Sequence, residues 1–167
     1  GVITQPDRKS GRGKKINFSP VKQTALDNGI SIHQPESLGI EKIFSDLKNI
    51  TPDLILVVAY GLLVPKKILE LPKYGCVNIH ASLLPRWRGA SPMEHAIMSG
   101  DKNIGISYME MSEGLDEGPV YEMHECSLEE YDTLQAVEEK FIQLSEKYLV
   151  SFLDNLESGS IKHKAQD

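Results

Sequence analysis

Seven residues, Asp53 to Ala59 (DLILVVA), form a nearly unbroken apolar run, and few features constrain a fold more. A strand with one wet face would alternate apolar and polar side chains; an unbroken run predicts a parallel strand covered on both sides, which requires a sheet with helices on both faces. A helix predicted after Pro65 and a strand from Gly75 to His80 complete a strand–helix–strand unit around it. Upstream, Gly1 to Thr4 (GVIT) reads as a strand, and Ser19-Pro20 as a helix entry, with Ser as the cap and Pro in the first helical position, leading to a helix that ends at Asn28-Gly29. Ile30 to His33 forms a short strand, and Ile40, Ile43, Phe44 and Leu47 have the spacing of one helical face. Downstream, Ser91 to Met98 is expected to be helical, and Gly105 to Met111 and Val120 to Cys126 to be strands flanking a glycine-bearing loop. Asp132 and Gln135 have capping-box spacing, and Leu134, Val137, Phe141, Leu144, Tyr148, Phe152 and Leu156 recur every three or four residues until Gly159, predicting a long amphipathic helix. The order of elements argues for an α/β fold built on an open sheet.

Composition bounds the answer. A chain of 167 residues with 40% hydrophobic content supports one domain with a sizeable core and excludes a fully disordered chain. No run of about 18 apolar residues is available to span a bilayer and no charged-then-apolar leader is present, so no membrane association is expected. Cys76 and Cys126 lie in apolar, strand-like stretches, which fits buried thiols in a reducing cytoplasm better than a disulfide framework. The net charge of -6 hides a polarity: residues 7–22 carry six Lys/Arg against one Asp, whereas residues 101–167 carry five against sixteen acids. A basic segment on an otherwise acidic chain suggests a local anionic partner, although solvated charge runs are common. This segment, Gln5 to Pro20, has neither secondary-structure period and is expected to be a loop.

Three places could carry chemistry. In Gly75-Cys76-Val77-Asn78-Ile79-His80, strand alternation puts Asn78 and His80 on one face and Val77 and Ile79 on the other. Their position at the carboxyl end of a strand is where open α/β sheets bind ligands, but a solvated polar edge strand would look the same. The following Ala81 to Ala90 (ASLLPRWRGA) sets a lone tryptophan between two arginines after a rigid Leu83-Leu84-Pro85 turn whose Leu-Pro bond is open to the cis form; packing plus solvated arginines is the plainer account. Ser112 to Pro119 (SEGLDEGP) places Asp116 between Gly114 and Gly118, which permit unusual backbone angles and could aim a carboxylate into a cleft. By itself that segment reads as an Asp bonding nearby backbone N–H groups. His124 and Cys126 are two apart on a strand, but with no second pair at ligand spacing no zinc site is expected. His33, His95 and His163 have no sequence partners, and Gly11-Arg12-Gly13-Lys14 lacks the spacing of a phosphate loop.

Together, NIHASLLPRWRGASP (Asn78 to Pro92) and GLDEGP (Gly114 to Pro119) resemble the two-part signature of folate-dependent formyltransferases, which take the formyl group from 10-formyltetrahydrofolate. TQPDRKSGRGKKINFSPVK (Thr4 to Lys22) is similar to the basic loop that members acting on methionyl-tRNA insert into the common fold to reach the acceptor end of the tRNA. The resemblance covers essentially the whole chain. It implies an open, mostly parallel Rossmann-like sheet with flanking helices and a triad of Asn78, His80 and Asp116. It implies folate contacts at Ser82, Leu83, Leu84 and Pro85, and at Gly61, Leu62, Leu63, Met111, Glu113 and Leu115. It further implies tRNA contacts at Arg8, Arg12, Lys14, Lys15, Lys22, Arg86 and Arg88, with no metal. Residues 1–167 then correspond to a catalytic domain, a fragment lacking the family's first strand and glycine-bearing turn and its C-terminal β-barrel domain. The expected reaction is formylation of initiator methionyl-tRNA by a cytoplasmic monomer. The alternatives are a related formyltransferase or formyl-folate hydrolase handling a small amine, and a non-catalytic folate- or RNA-binding module.

Overall fold

The computed structural model describes residues 1–10 and 15–167. These form two compact units, one of residues 1–50 with 60–65 and one of residues 51–59 with 66–167.

In the first unit, β1 (Val2–Ile3) comes first, followed by β2 (Arg8–Ser10) and β3 (Lys15–Asn17). Within the segment expected to be a loop, β2 and β3 pair antiparallel, with Arg8 opposite Asn17 and Ser10 opposite Lys15. Three residues per strand are too few for a periodicity to register in sequence. Helix α1 (Pro20–Asp27) begins as expected: the Ser19 side chain accepts from the Lys22 N–H and Pro20 fills the first turn. Then β4 (Ile32–His33) pairs parallel with β1, and α2 (Glu41–Ile50) buries Ile43 and Leu47. Ile40, assigned to that helical face, precedes the helix and is 45% exposed.

The second unit contains β5 (Ile55–Val57), the short α3 (Lys66–Leu69), β6 (Cys76–His80), α4 (Pro92–Met98), β7 (Asn103–Glu110), β8 (Val120–Ser127) and α5 (Leu134–Ser158). Its four strands form an open sheet in the order β5-β6-β7-β8. The β5–β6 pair is parallel, and the two pairs beyond it are antiparallel. The expectation of a strand covered on both faces is not met at β5, where Leu56 is 37% and neighbouring Val58 59% exposed. β5 is the end strand of this sheet, paired among the described residues with β6.

One face of the sheet forms the core. Val77 and Ile79 of β6 and Ile104, Ile106 and Tyr108 of β7 pack with Val137, Phe141, Phe152 and Leu156 of α5. The Tyr108 and Phe152 rings stack with centroids 4.5 Å apart. Because strand side chains alternate, this packing leaves Asn78 and His80 of β6, and Ser107 and Met109 of β7, on the other face, where Asn78 lies opposite Met109 and His80 opposite Ser107. Helix α5 ends at Gly159 (φ 70°) as expected, but its cap differs. Thr133, whose side chain accepts from the Ala136 N–H, caps the helix, while Asp132 accepts from the Glu129 N–H and pairs with Lys140. Lys140, nearly two turns into the helix, holds that carboxylate away from the capping position. Among the described residues, no helix is long and apolar enough to cross a membrane.

Both cysteines are free; Cys76 is buried and Cys126 only partly so. Burial pushes the Cys76 thiol up to about 12, leaving negligible thiolate at neutral pH. Iodoacetamide is therefore expected to leave Cys76 unmodified in the folded protein and to react first at Cys126, as read by peptide mass spectrometry. Cys76 alkylation at the rate of a free thiol would contradict the packing around β6.

Candidate active site

Chain direction and side-chain alternation bring the chemistry to the carboxyl end of β6. His80 is its last residue, 6% exposed, and Asn78 lies two positions earlier on the same face. Residues 81–90 turn back over this end, with a cis bond at Leu84-Pro85. Ser107, fully buried, fixes the start of the turn: its hydroxyl donates to the Ser82 carbonyl (2.6 Å) and accepts from the Leu84 N–H (3.1 Å). The Ser82 hydroxyl in turn donates to the Arg86 carbonyl at 2.6 Å.

The carboxylate arrives from 38 residues away in sequence. Asp116 Oδ1 accepts a long 3.5 Å contact from Asn78 Nδ2, and Asp116 Oδ2 lies 3.6 Å from His80 Nδ1 while accepting from the Gly89 N–H at 2.9 Å. Asn78, His80 and Asp116 thus meet in one place. The other imidazole nitrogen, His80 Nε2, lies 3.0 Å from the Trp87 carbonyl oxygen. A carbonyl can only accept, so this contact is a hydrogen bond in the tautomer that carries the hydrogen on Nε2, in which Nδ1 presents a lone pair beside Asp116.

The glycines act differently from expectation. The left-handed conformation falls on Asp116 itself (φ 52°), which Asp tolerates comparatively well. Gly118 is needed for close approach, since a Cβ there would lie 1.7 Å from the Glu110 carbonyl oxygen. Trp87 is also left-handed (φ 59°), a conformation that costs a residue of its kind about 1–2 kcal/mol. Strain of this sort persists where neighbours over-determine it, and it clusters at functional sites.

The other candidates separate by burial and partners. Ser82 (4% exposed) and Leu84 (4%) are too buried to offer a ligand surface; they hold the turn. Leu83 is partly buried against Gly105, and Pro85 is exposed. Met111 packs beside Leu84, Met109 and Val120, Leu115 is 63% exposed, and Glu113 pairs with Lys66 at 2.9 Å. Gly61, Leu62 and Leu63 belong to the first unit, where the Tyr60 carbonyl accepts from Gln5 Nε2.

Among the basic residues, Arg86 is engaged bidentately by Asp101, through Nε at 2.8 Å and a terminal nitrogen at 2.7 Å. The same guanidinium holds the Asp101 carboxyl below its ordinary range. Lys22 is largely buried, pairs with Asp7 and sits over the Phe18 ring. Both charges are answered locally. Arg8 is exposed and donates to Gln5, and Arg88 donates to Gln166. Arg12 and Lys14, with Gly11 and Gly13, lie outside the described residues; the Lys15 backbone lies in β3.

His124 stacks on Tyr148 and bonds Glu122, His163 pairs with Glu110, and His95 stacks on Trp87. Among the described residues, no three His, Cys, Asp or Glu gather as a metal site would require. Sequence reasoning missed Ser107, Asp101 and Gln166. Gln166 Nε2 donates to the carbonyls of both Asp116 (2.9 Å) and Gly118 (2.7 Å), pinning the loop that carries the carboxylate. The one available signal was position, a polar residue trailing a long helix, and it is too common to single out.

An amide donor, an imidazole and a carboxylate gathered at a strand's carboxyl end are the equipment for transferring an acyl group to an amine. The chain belongs to the formyl transferase family, whose pattern matches residues 1–153. It is 46% identical over 158 residues to a methionyl-tRNA formyltransferase of Francisella philomiragia, covering 94% of this chain and 51% of that protein. It is 43% identical over 166 residues to the methionyl-tRNA formyltransferase of Legionella pneumophila, covering 99% of this chain and 53% of that protein. The chain spans about half the length of the curated relatives it matches. Among solved structures, it is similar to the formyltransferase PseJ from Anoxybacillus kamchatkensis, determined in complex with UDP-4,6-dideoxy-4-formamido-L-AltNAc and tetrahydrofolate. That likeness has a TM-score of 0.70 at 23% identity, covers 99% of this chain and 80% of the other, and concerns the fold.

Proposed function

We propose that the protein transfers the formyl group of 10-formyltetrahydrofolate to the amino group of initiator methionyl-tRNA, with residues 1–167 making up the catalytic domain and Asn78, His80 and Asp116 acting as its chemical centre. The observation that carries this reading is the meeting of those three side chains, within 3.6 Å of Asp116, in a chain whose relatives at 43–46% identity are methionyl-tRNA formyltransferases. Family membership supports the folate co-substrate. The reading carries with it a cytoplasmic, monomeric protein.

The residues present fit such a co-substrate. Exposed Leu115 and partly buried Met111 offer apolar surface for a flat ring system next to the loop that bears Asp116, and the Asn78 amide retains a hydrogen beyond the one aimed at Asp116. When bound, the folate supplies an activated formyl carbon. Every other task falls to side chains. The second N–H of Asn78 is the donor for a carbonyl oxygen that gains negative charge; one such donor is worth about 3 kcal/mol of barrier. His80 Nδ1, carrying a lone pair, accepts the proton lost by the attacking amine, and Asp116 Oδ2 at 3.6 Å stabilises the imidazolium so formed.

The decisive assay compares formylation of methionyl-tRNA with formylation of amino sugars and glycinamide ribonucleotide, using a protein that spans the full length of the relatives. A preference for either small amine would overturn the reading. The basic segment of the sequence is assigned to tRNA phosphates through Arg12, Lys14 and Lys15. Neutralising all three is expected to raise the KM for methionyl-tRNA about tenfold or more at moderate salt and to reduce the slope of log affinity against log salt by two to three units, at roughly 0.7–0.9 per phosphate contact. An unchanged slope would remove the basic segment from the acceptor site.

A further inference from the structure

The imidazole of His80 is held on its far side by a residue that itself needs holding. Its Nε2–H donates to the Trp87 carbonyl at 3.0 Å, and that carbonyl points at the ring because Trp87 is in the left-handed conformation (φ 59°). A tryptophan does not adopt this conformation unless its surroundings enforce it. Three contacts do so. The indole Nε1–H donates to Asp101 Oδ2 at 2.8 Å, the Arg86 guanidinium lies 4.2 Å over the indole ring, and His95 of α4 stacks on it at 5.3 Å with 13° between planes. Asp101 links the first two, since it also takes both nitrogens of Arg86. Its carboxylate is 13% exposed, and it sits just after α4, outside the loop it anchors.

From this chain of contacts we infer that Asp101 and Trp87 are positioning residues: Asp101 fixes the indole, the indole fixes the left-handed backbone of Trp87, and the Trp87 carbonyl locks His80 in the tautomer that bears hydrogen on Nε2 and leaves Nδ1 open toward Asp116. Neither residue touches a reacting atom. The role rests on the proposed formyl transfer for its catalytic meaning, but the tautomer is a property of the protein without substrate. The alternative tautomer would place a hydrogen on Nδ1, give up the bond to the Trp87 carbonyl and fill the position that has to receive the amine proton. The anchor therefore selects which nitrogen can act as base.

Long-range ¹H–¹⁵N NMR of His80 across a pH series, which reads the protonation state and the tautomer from the same spectra, tests this directly in a protein spanning the full length of the relatives. The unsubstituted protein is expected to show the Nε2–H tautomer alone. Asp101→Ala is expected to mix the two tautomers and to lower kcat roughly 10- to 100-fold, with tetrahydrofolate affinity changed less than about twofold, since small displacements of a reacting group cost rate rather than binding. Asp101→Asn keeps an oxygen for the indole N–H and should restore the single tautomer and most of the kcat. If Asp101→Ala does not fold, Trp87→Phe, which retains a ring but lacks the N–H, is expected to change tautomer and kcat in the same direction.

An Nδ1–H tautomer in the unsubstituted protein would overturn the inference. So would an Asp101→Ala protein, or failing it a Trp87→Phe protein, with unchanged tautomer and kcat, or an Asp101→Asn protein as impaired as Asp101→Ala. Should the protein not formylate methionyl-tRNA, an Nε2–H tautomer that depends on Asp101 would still sustain the inference while the functional reading fell.

Discussion

Replacing Asp116 by Asn is expected to lower the turnover of methionyl-tRNA formylation by about 10²- to 10⁴-fold, the range contributed by general acid–base catalysis, while changing tetrahydrofolate affinity by less than about twofold. The substitution preserves shape. Asn can still accept from the Gly89 N–H, which bonds Asp116 Oδ2 at 2.9 Å, and the backbone carbonyl of residue 116 keeps its bond from Gln166. What disappears is the negative charge 3.6 Å from His80 Nδ1. Without it an imidazolium at His80 loses its stabilising partner. The apolar surface of Leu115 and Met111 proposed for the folate is untouched, so binding and turnover are expected to separate. Steady-state kinetics together with titration of tetrahydrofolate measures both. A parallel fall in the two would mean that Asp116 shapes the pocket rather than serving the reaction.

The difference between what was legible in the sequence and what was not follows from the range of the interactions. Helices α1, α4 and α5 were readable because their signals are local: Ser19-Pro20 at an entry, a repeat of Val137, Phe141, Phe152 and Leu156 along one face, and Gly159 at an exit. The shared face of Asn78 and His80 follows from strand alternation alone, and the structure keeps them together on the face opposite the core. The two units into which the chain divides, and the place of β5 at the end of its sheet, depend on pairings between distant segments that no window of sequence contains.

The same applies to the site. Asp116 came into view only through a family resemblance, because its own segment reads as an ordinary turn; its contacts lie at residues 78, 80 and 89. Asp101, Ser107 and Gln166 gave no signal because each works through one or two hydrogen bonds to a backbone group or a neighbour far away in the chain. Arg86 has a contact that the sequence hid. Its position beside Trp87 in a basic-looking motif suggested an outward partner, yet the sequence could not reveal that Asp101 already answers its charge.

Of the two glycines that flank Asp116, Gly118 is expected to be intolerant of alanine and Gly114 tolerant, although composition makes them look alike. A Cβ at Gly118 would fall 1.7 Å from the Glu110 carbonyl oxygen and 3.0 Å from its carbon, both backbone atoms at the end of β7 that cannot swing aside. Relief requires parting residue 118 from Glu110, beside the bond from the Glu110 N–H to the Pro119 carbonyl, and withdrawing the Gly118 carbonyl from Gln166. An added Cβ at Gly114 would meet the Glu117 carboxylate at 2.5 Å, the far end of a flexible side chain that can rotate into solvent. Gly118→Ala is therefore expected to destabilise the protein by about 3 kcal/mol or more, at the upper end of overpacking costs, and Gly114→Ala by less than about 1 kcal/mol. Urea denaturation of both variants reads the difference. Because the same displacement carries Asp116 away from His80, the folded fraction of Gly118→Ala should also turn over more slowly than Gly114→Ala. Equal stability of the two variants would mean that the loop has room to move, and that the position of the carboxylate is not set by its contact with β7.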